Sequence, residues 1–596
     1  MGNHLGRHGS PFKGNHLGIT APAAGGAKIQ SMLRDALPTS AKDAFAWTWE
    51  DYRPHYEALA AQELTPESLP EWLLDWTALS DVLNEVDSRL YVAVSVNTAD
   101  EAAEAALLNF AKTISEPRAA AEQVLKDKLL ASGLSTPTLE VALQSLKVQA
   151  SVFREANLPR DTQIVELSND FDKLEGAQSV EWKGESLPLS MLSPALQSPD
   201  RTERQTAWEL KHGRILQDRE SYNALWTKMY AIRQEMAHEA GHANFRDYQY
   251  AKMGRLDYNP ADVAQFRQTI LETVVPVANR IYERRAERLG LQQLRPWDTD
   301  VSAYGATPLR PFEAEADLLQ NSDAVFESLD PVLAGWFKQM QADGLLDLFG
   351  RPNKAGGGYC TEFRLARRPF IFMNASGTHS NLQTLLHEAG HAFHAYACFE
   401  IPVALEAQPP IEFCEVASMG MEMLCQPHLD RFYSPADSAR AQIQHLESTL
   451  LFWPYMAVVD GFQDWAHTHT EGSDPAACDA KWTELWRQFM PGIDYSGLDE
   501  IEATGWHRKL HIFQVPFYYV EYGLAQIGAY QVWRNSQKDL AAAVTAYRAG
   551  LAMGSTVGLP ELFAAVGGRF AFDAATLSEL AEAAEARINE LLTALA

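Results

Sequence analysis

The chain is poor in cysteine and in basic residues and has no long apolar run, and each shortage removes a class of function. Its five cysteines (Cys360, Cys398, Cys414, Cys425, Cys478) are odd in number, scattered, and never spaced C-x-x-C. A disulfide framework is therefore not expected, and a reducing, cytoplasmic compartment is. Lys and Arg number 50 against 78 Asp and Glu, a formal net charge of −28. Lacking a basic stripe, the chain is not expected to bind nucleic acid, while small or cationic ligands stay open. No run of about 18 apolar residues occurs, so no membrane span is expected. What is present is ordinary: 46 % hydrophobic and 21 % charged residues over 596 positions, enough core for several domains or for one helical enzyme of two intertwined lobes. Nothing in the sequence sets the oligomeric state.

Residues 1 to about 28 differ from the rest. They are rich in Gly, His and Pro, repeat Gly-Asn-His-Leu-Gly, and lack the apolar segment of a signal peptide. A disordered tail is expected there, with His4, His8 and His16 as incidental metal binders at most. From Trp47 to about Leu192 the period is amphipathic and helical, as over 69–83, with Asn97 to Asp100 a polar start signal for a further helix. Residues 179–192 break that period around Lys183-Gly184, which predicts a short hairpin and a boundary between an N-terminal lobe (29–192) and the remainder (193–596).

The pattern that carries chemistry is His-Glu-Ala-Gly-His, and it occurs twice, at 238–242 and 387–391. Two histidines four apart on a helix lie on one side of it about 6 Å apart along the axis, so both imidazoles reach one metal ion. The glutamate between them then stands where it can take a proton from water, the logic of the H-E-x-x-H metallopeptidase signature. After the first copy comes a polar stretch, Ala243 to Tyr248, that reads as a helix end with Gly241 near the cap, so His242 leaves the helix. Good helix formers follow Gly390 in the second copy, Leu382 to Tyr396 supply an apolar stripe, and Ser380-x-x-Gln383 has capping-box form. His387 and His391 keep their register there, with Glu388 beside them. His394 stands about 10 Å along the helix from His387, too far to share an ion, and is assigned to support or packing.

A catalytic zinc needs a third protein ligand and an open position. The downstream helix Ile411 to Leu424 offers Glu412, Glu415 and Glu422, and because Glu415 and Glu422 share a face, spacing does not choose between them. Upstream, 356–365 and 369–374 read as two short strands beside a glycine-rich loop; a strand just before a metal helix can hold an extended peptide by edge pairing. The glycine run lacks the Gly-Lys-Ser/Thr of a phosphate loop. Farther on, His511 precedes an aromatic block in which Pro516 is placed to start a helix, putting Tyr518 and Tyr522 on one face. Phenols and an imidazole near a polarised carbonyl can stabilise a tetrahedral oxyanion.

These pieces together, namely the loop from Lys354 to Cys360, the strand from Phe370 to Asn374, His387 to His394, Phe413 to Ser418, and His511 with Pro516 to Tyr522, resemble the oligoendopeptidase F group of thimet-oligopeptidase-like zinc peptidases. The resemblance runs from about residue 47 to the C-terminus. It implies a mainly α, two-lobed fold with a deep central channel for short peptides and a small β-sheet beside the active-site helix. It implies Zn2+ held by His387, His391 and Glu415, Glu388 as general base, and His511, Tyr518 and Tyr522 on the transition-state side. The order Tyr518-Tyr519-Val520-Glu521-Tyr522 departs from the family spacing, which leaves open which tyrosine serves the oxyanion. The expected activity is zinc-dependent endopeptidase cleavage of oligopeptides through a water activated by zinc and Glu388. The rival enzyme reading is a zinc carboxypeptidase or dipeptidyl carboxypeptidase, with Arg508 and Lys509 as candidate carboxylate binders. A non-catalytic peptide-binding protein with structural zinc fits less well, since a structural site seldom leaves a glutamate beside an open position.

Overall fold

Helical periodicity runs through most of the chain, and the computed structural model, which describes residues 32–305 and 307–595, is accordingly mainly helical. The tail expected over 1–28 lies outside the described residues. Helix α1 (Leu69–Val96) takes Pro70 in its first turn and buries Trp72, Leu73, Trp76, Leu79, Leu83 and Val86 at the expected spacing. The next helix begins at Glu101, and Asp100 caps it by accepting from the N–H groups of Ala102 and Ala103. These helices share an apolar core with Tyr52, Leu59, Leu125 and Leu143. A second, larger core runs from Val152 to Leu591.

The predicted hairpin is present: β1 (Ser179–Trp182) pairs antiparallel with β2 (Glu185–Pro188). Its two-residue loop, Lys183-Gly184, has φ of 53° and 89°, the double left-handed geometry that fits the twist of the strands. Helices α2 (Arg219–Glu239) and α3 (Pro260–Arg288) follow, the latter opened by an Asn259/Asp262 capping box.

The functional half is built around a three-stranded sheet. Its order is β3 (Leu346–Phe349), β5 (Arg368–Ala375), β4 (Tyr359–Phe363), with β3–β5 parallel and β4–β5 antiparallel. Strand β3 has no counterpart in the sequence reading, and it changes the role of the strand before the metal helix. Because β5 is paired on both sides, it has no free edge, and β3 and β4 are the two edges of the sheet. The glycine-rich loop is pinned to this sheet by Lys354, whose side chain is fully buried and whose Nζ donates to Asp347 and to the carbonyls of Asp347, Phe349 and Met373. Lys354 is thus consumed in structure.

Helix α4 (His379–Cys398) leaves β5 through a short turn and packs on α5 (Ile411–Cys425). Helix α7 (Tyr519–Ser536) packs along α5 and is buried on nearly every side, Glu521, Gln526 and Gln531 included. Helices α6 (Pro435–Thr468) and α8 (Ala574–Leu595) close the larger core. No helix among the described residues is long and apolar enough to cross a membrane.

Candidate functional site

The first element of the site is α4. Its cap is Thr378, which accepts from the Asn381 N–H at 3.3 Å while Asn381 Oδ1 accepts from the Thr378 N–H at 3.1 Å. The helix therefore starts two residues before the box expected at Ser380 and Gln383, because Gly377, with φ of 86°, ends the preceding turn. The helix is unbroken through Gly390. A methyl group there would sit 2.6 Å from the Ala417 carbonyl oxygen and the Ser418 Cα, so the absence of a side chain lets α5 cross in contact.

That crossing brings the donors together. His387 Nε2 and His391 Nε2 stand 3.5 and 3.8 Å from Glu415 Oε2, and the three donor atoms lie within 4.8 Å of one another. These distances exceed a good N–H···O bond of about 2.7–3.2 Å. They suit ligands around one ion, where bonds of about 2.0–2.1 Å to zinc leave tetrahedral donors roughly 3.4 Å apart. Glu415 is further fixed by Ser418, whose hydroxyl donates to Oε2 at 2.9 Å. No other such group of His, Cys, Asp and Glu occurs among the described residues.

Of the three glutamates, Glu415 is the one that lies within 4.0 Å of Nε2 of both histidines. Glu412 turns away and accepts from the Tyr258 hydroxyl at 2.5 Å. Glu422 takes the other nitrogen of His387, with Oε1 2.7 Å from Nδ1, and its Oε2 lies 3.7 Å from His445 Nδ1. A carboxylate on Nδ1 sets the tautomer that leaves Nε2 free to ligate. The sequence reading did not assign Glu422 this part, although its shared face with Glu415 was the available signal. His394 is buried, its ring edge-on to Phe413 at 5.8 Å, so it packs between α4 and α5.

The local field is strongly negative. Burial pulls His387 down, but the hydrogen bond and charge of Glu422, with Glu415 and Glu388, outweigh it and lift the imidazole to about 9, so a metal ion binding at Nε2 must displace a proton there. His391 is held well below its ordinary value by burial, with the His387 and His394 charges adding to that, and so stays a neutral donor. Burial lifts Glu388 to about 7; Glu415 and Glu422 add to this, whereas His387 and the Cys360 backbone N–H in β4 oppose it. That last contact ties the edge strand to the candidate base.

The His–Tyr block comes from beyond α6. His511 lies in a one-turn helix, Leu510–Phe513, and its ring centroid is 6.3, 4.8 and 6.0 Å from those of Tyr518, Tyr519 and Tyr522. Pro516 does not start the following helix as expected; it lies in a turn, and α7 begins at Tyr519. The reason is Phe517, whose φ of 69° is left-handed and incompatible with a helix. Three contacts hold it: its N–H donates to Gln463 Oε1 at 2.8 Å, its carbonyl accepts from Arg255, and its ring is fully buried. They offset a backbone cost of roughly 1–2 kcal/mol. On the other side, the buried Arg233 of α2 donates to the carbonyls of Ile512 and Phe513. No sequence signal announces Arg233 or Arg255, since their partners lie more than 260 positions away.

The tyrosines divide by environment. Burial, then the charge of Glu415, raise both Tyr518 and Tyr522, the latter to about 12, so both phenols sense the donor cluster. Tyr519 instead packs against Phe452 and Tyr455, with the Lys509 ammonium 3.9 Å above its ring.

The first copy of the motif is a helix terminus. Helix α2 ends at Glu239, Gly241 has φ of 86°, and the N–H groups of Gly241 and His242 bond back to the carbonyls of His238 and Ala237, a Schellman cap. His238 and Glu239 are exposed, and His238 Nε2 lies 3.3 Å from the Ala243 carbonyl oxygen.

Comparison with known proteins adds the following. A family model described as peptidase family M3 matches residues 195–582. The chain is similar to the oligoendopeptidase F homolog of Mycoplasma genitalium, 26 % identical over 175 residues, and to the group B oligopeptidase PepB of Streptococcus agalactiae, 24 % identical over 250. These stretches cover 29 % and 40 % of this chain but 27 % and 39 % of the relatives' own lengths. In three dimensions the chain is similar to PZ peptidase A solved with an inhibitor, with a TM-score of 0.82, 27 % identity and coverage of 91 % of this chain and 98 % of that one. A structure described as oligoendopeptidase F gives a TM-score of 0.81, 26 % identity and coverage of 92 % and 97 %.

Proposed function

The chain belongs to peptidase family M3, and from that membership we propose that it is a zinc-dependent endopeptidase hydrolysing short peptides. The observation that carries this reading is the donor group His387, His391 and Glu415 within 4.8 Å, with buried Glu388 on the same helix. The donors are of the right chemistry for zinc: two imidazole nitrogens, one with its tautomer set by Glu422, and one carboxylate. When bound there, zinc supplies Lewis acidity to a peptide carbonyl and to water.

The chain's own residues do the rest. Strand β4 receives the peptide as an added strand and lays its main chain beside α4. Glu388 takes a proton from the attacking water and passes it to the nitrogen of the leaving amine. Tyr518 and Tyr522 donate to the carbonyl oxygen as charge develops on it, with His511 on the same side of the site. The environment of Tyr519, against Phe452 and Tyr455 with the Lys509 ammonium over its ring, supports leaving it out of that role. Two lobes flank a channel, the stretch from Val152 to Leu192 packing in the larger core rather than with the helices before it, a reading supported by a cavity of about 480 Å³ lined from one side by Trp76, Ser80 and Arg118 and from the other by Tyr258 and Glu412.

The test is Glu388→Gln. It is expected to retain one zinc per chain and to lose turnover by at least three orders of magnitude, with wild-type enzyme cutting a peptide blocked at both ends at an internal bond. Full activity in that variant, or cleavage confined to peptides with a free carboxyl end, overturns the reading.

A further inference from the structure

The cavity beside the start of α4 has the wrong sign of charge for this chain. Acidic side chains outnumber basic ones 78 to 50 over the whole sequence. Around this cavity, of about 1250 Å³, seven Lys or Arg side chains face three Asp or Glu. Some of the cations are committed to neighbours: Arg201 and Arg204 bind Asp298, and Arg285 binds Glu447. Arg288 and Arg310 form no ion pair among the described residues. The guanidinium of Arg288 lies 5.0 Å from the Tyr304 ring centre, and Arg310 Nη1 lies beside Gly377, next to the cap of α4.

Arg440 adds an unspent donor. It is 7 % exposed, its Nη1 and Nη2 donate to Asp437 and to the Thr307 carbonyl at 2.7 Å each, and its Nε has no partner. The acids do not cancel this surplus. Glu447 is held by Arg284, Arg285 and Tyr304, and Glu203 by Lys183 and Ser198, which leaves Asp300 as the lining acid without an ion pair among the described residues.

We propose that this cavity is a carboxylate-binding subsite for the peptide substrate, with Arg288 and Arg310 as its recognising groups; the inference rests on the peptide-hydrolysis reading above. Two guanidinium groups without carboxylate partners in a cleft are suited to a planar anion, which each can bind through paired N–H donors. The cavity reaches α4 at Thr378, His379 and Ser380. Those residues precede His387 by about 12 Å of helix, the span of three to four residues of extended chain. The carboxylate therefore sits three or four residues from the bond that is cut. It is supplied either by an acidic side chain or by the C-terminus of the peptide.

The experiment is a matched peptide series: neutral peptides, peptides with one Asp or Glu at each position from one to six residues from the cleaved bond, and every member as free acid and as C-terminal amide. Steady-state constants are measured for wild type, Arg288→Ala, Arg310→Ala, Arg310→Lys and Arg310→Glu. A carboxylate three or four residues from the cleaved bond is expected to lower KM about tenfold relative to its neutral partner with little change in kcat. That preference is expected to vanish in both alanine variants, return in Arg310→Lys, and turn into a preference for Lys-containing peptides in Arg310→Glu.

A gain in the amide series assigns the subsite to side chains, and a gain confined to free acids assigns it to the chain end. Equal KM across the series, a preference independent of position, or a preference retained in both alanine variants overturns the inference. If wild type cleaves no peptide, the hydrolytic reading falls. The same acidic and neutral peptides, fluorescently labelled and followed by anisotropy on the full chain, then decide the subsite by the same tenfold criterion.

Discussion

Gly241 and Gly390 hold the same place in the same five letters and do opposite work. Gly241 is left-handed and ends a helix; Gly390 is helical and lets α5 cross within contact distance. Substitution separates these uses. Gly390→Ala inserts a methyl 2.6 Å from the Ala417 oxygen and Ser418 Cα, so α4 and α5 must move apart and Glu415 with them. The expected cost is about 1–3 kcal/mol of stability together with weaker metal binding. Gly241→Ala has open space but the wrong φ, and is expected to cost about 1 kcal/mol with metal content unchanged. Urea denaturation and metal analysis of the two variants check both, and unaltered metal affinity in Gly390→Ala counts against the crossing as the reason for the glycine. At this scale the His387/His391 pair was legible, because i to i+4 geometry is local. The choice among Glu412, Glu415 and Glu422 was not, because it depends on how α5 rotates against α4; only the resemblance pointed to Glu415.

Helix α5 serves the site twice, placing Glu415 among the donors and Glu422 behind His387. One face seven residues long thus delivers both a candidate ligand and its orienting partner. Glu422→Ala is expected to lower metal affinity about 10- to 100-fold. Competition against a chelating dye measures this, and an unchanged dissociation constant removes Glu422 from the site. Other elements show where sequence reading stops. The hairpin at Lys183-Gly184 was readable because two left-handed residues in a row announce their turn. Strand β3 was not, since its four residues, Leu346 to Phe349, are too few for alternation to stand out and are held in place by a partner 25 positions on. The start of α7 departs from local preference: Pro516 is a helix opener by itself, and tertiary contacts from Gln463 and Arg255 override it at Phe517.

For the molecule as a whole, an ion at the donor group binds the folded state and not the unfolded chain, so it adds to stability by mass action. Removing it with a chelator is expected to abolish turnover, to lower the thermal midpoint, and to do both reversibly on adding zinc back. At free metal a thousand times the dissociation constant the linkage is worth about 4 kcal/mol. Calorimetry with and without chelator measures it; an unchanged midpoint together with lost activity would confine the ion to chemistry. Individual helical segments and the strands at 356–365 and 369–374 were readable from periodicity and turn residues, and the mainly α class with its small sheet from the resemblance, whereas the basic cavity was not, since its lining is drawn from 182 to 451.

The spacing of the candidate donors has a consequence for biosynthesis. Glu415 follows His387 by 28 positions, while Tyr518 follows Glu415 by 103. Closing the longer loop costs about 1 kcal/mol more in chain entropy than closing the shorter. On a ribosome, α4 and α5 have emerged before His511 is translated. All three candidate donors, His387, His391 and Glu415, are therefore made before the residues assigned to the oxyanion, while the α7 that packs along α5 is made after them.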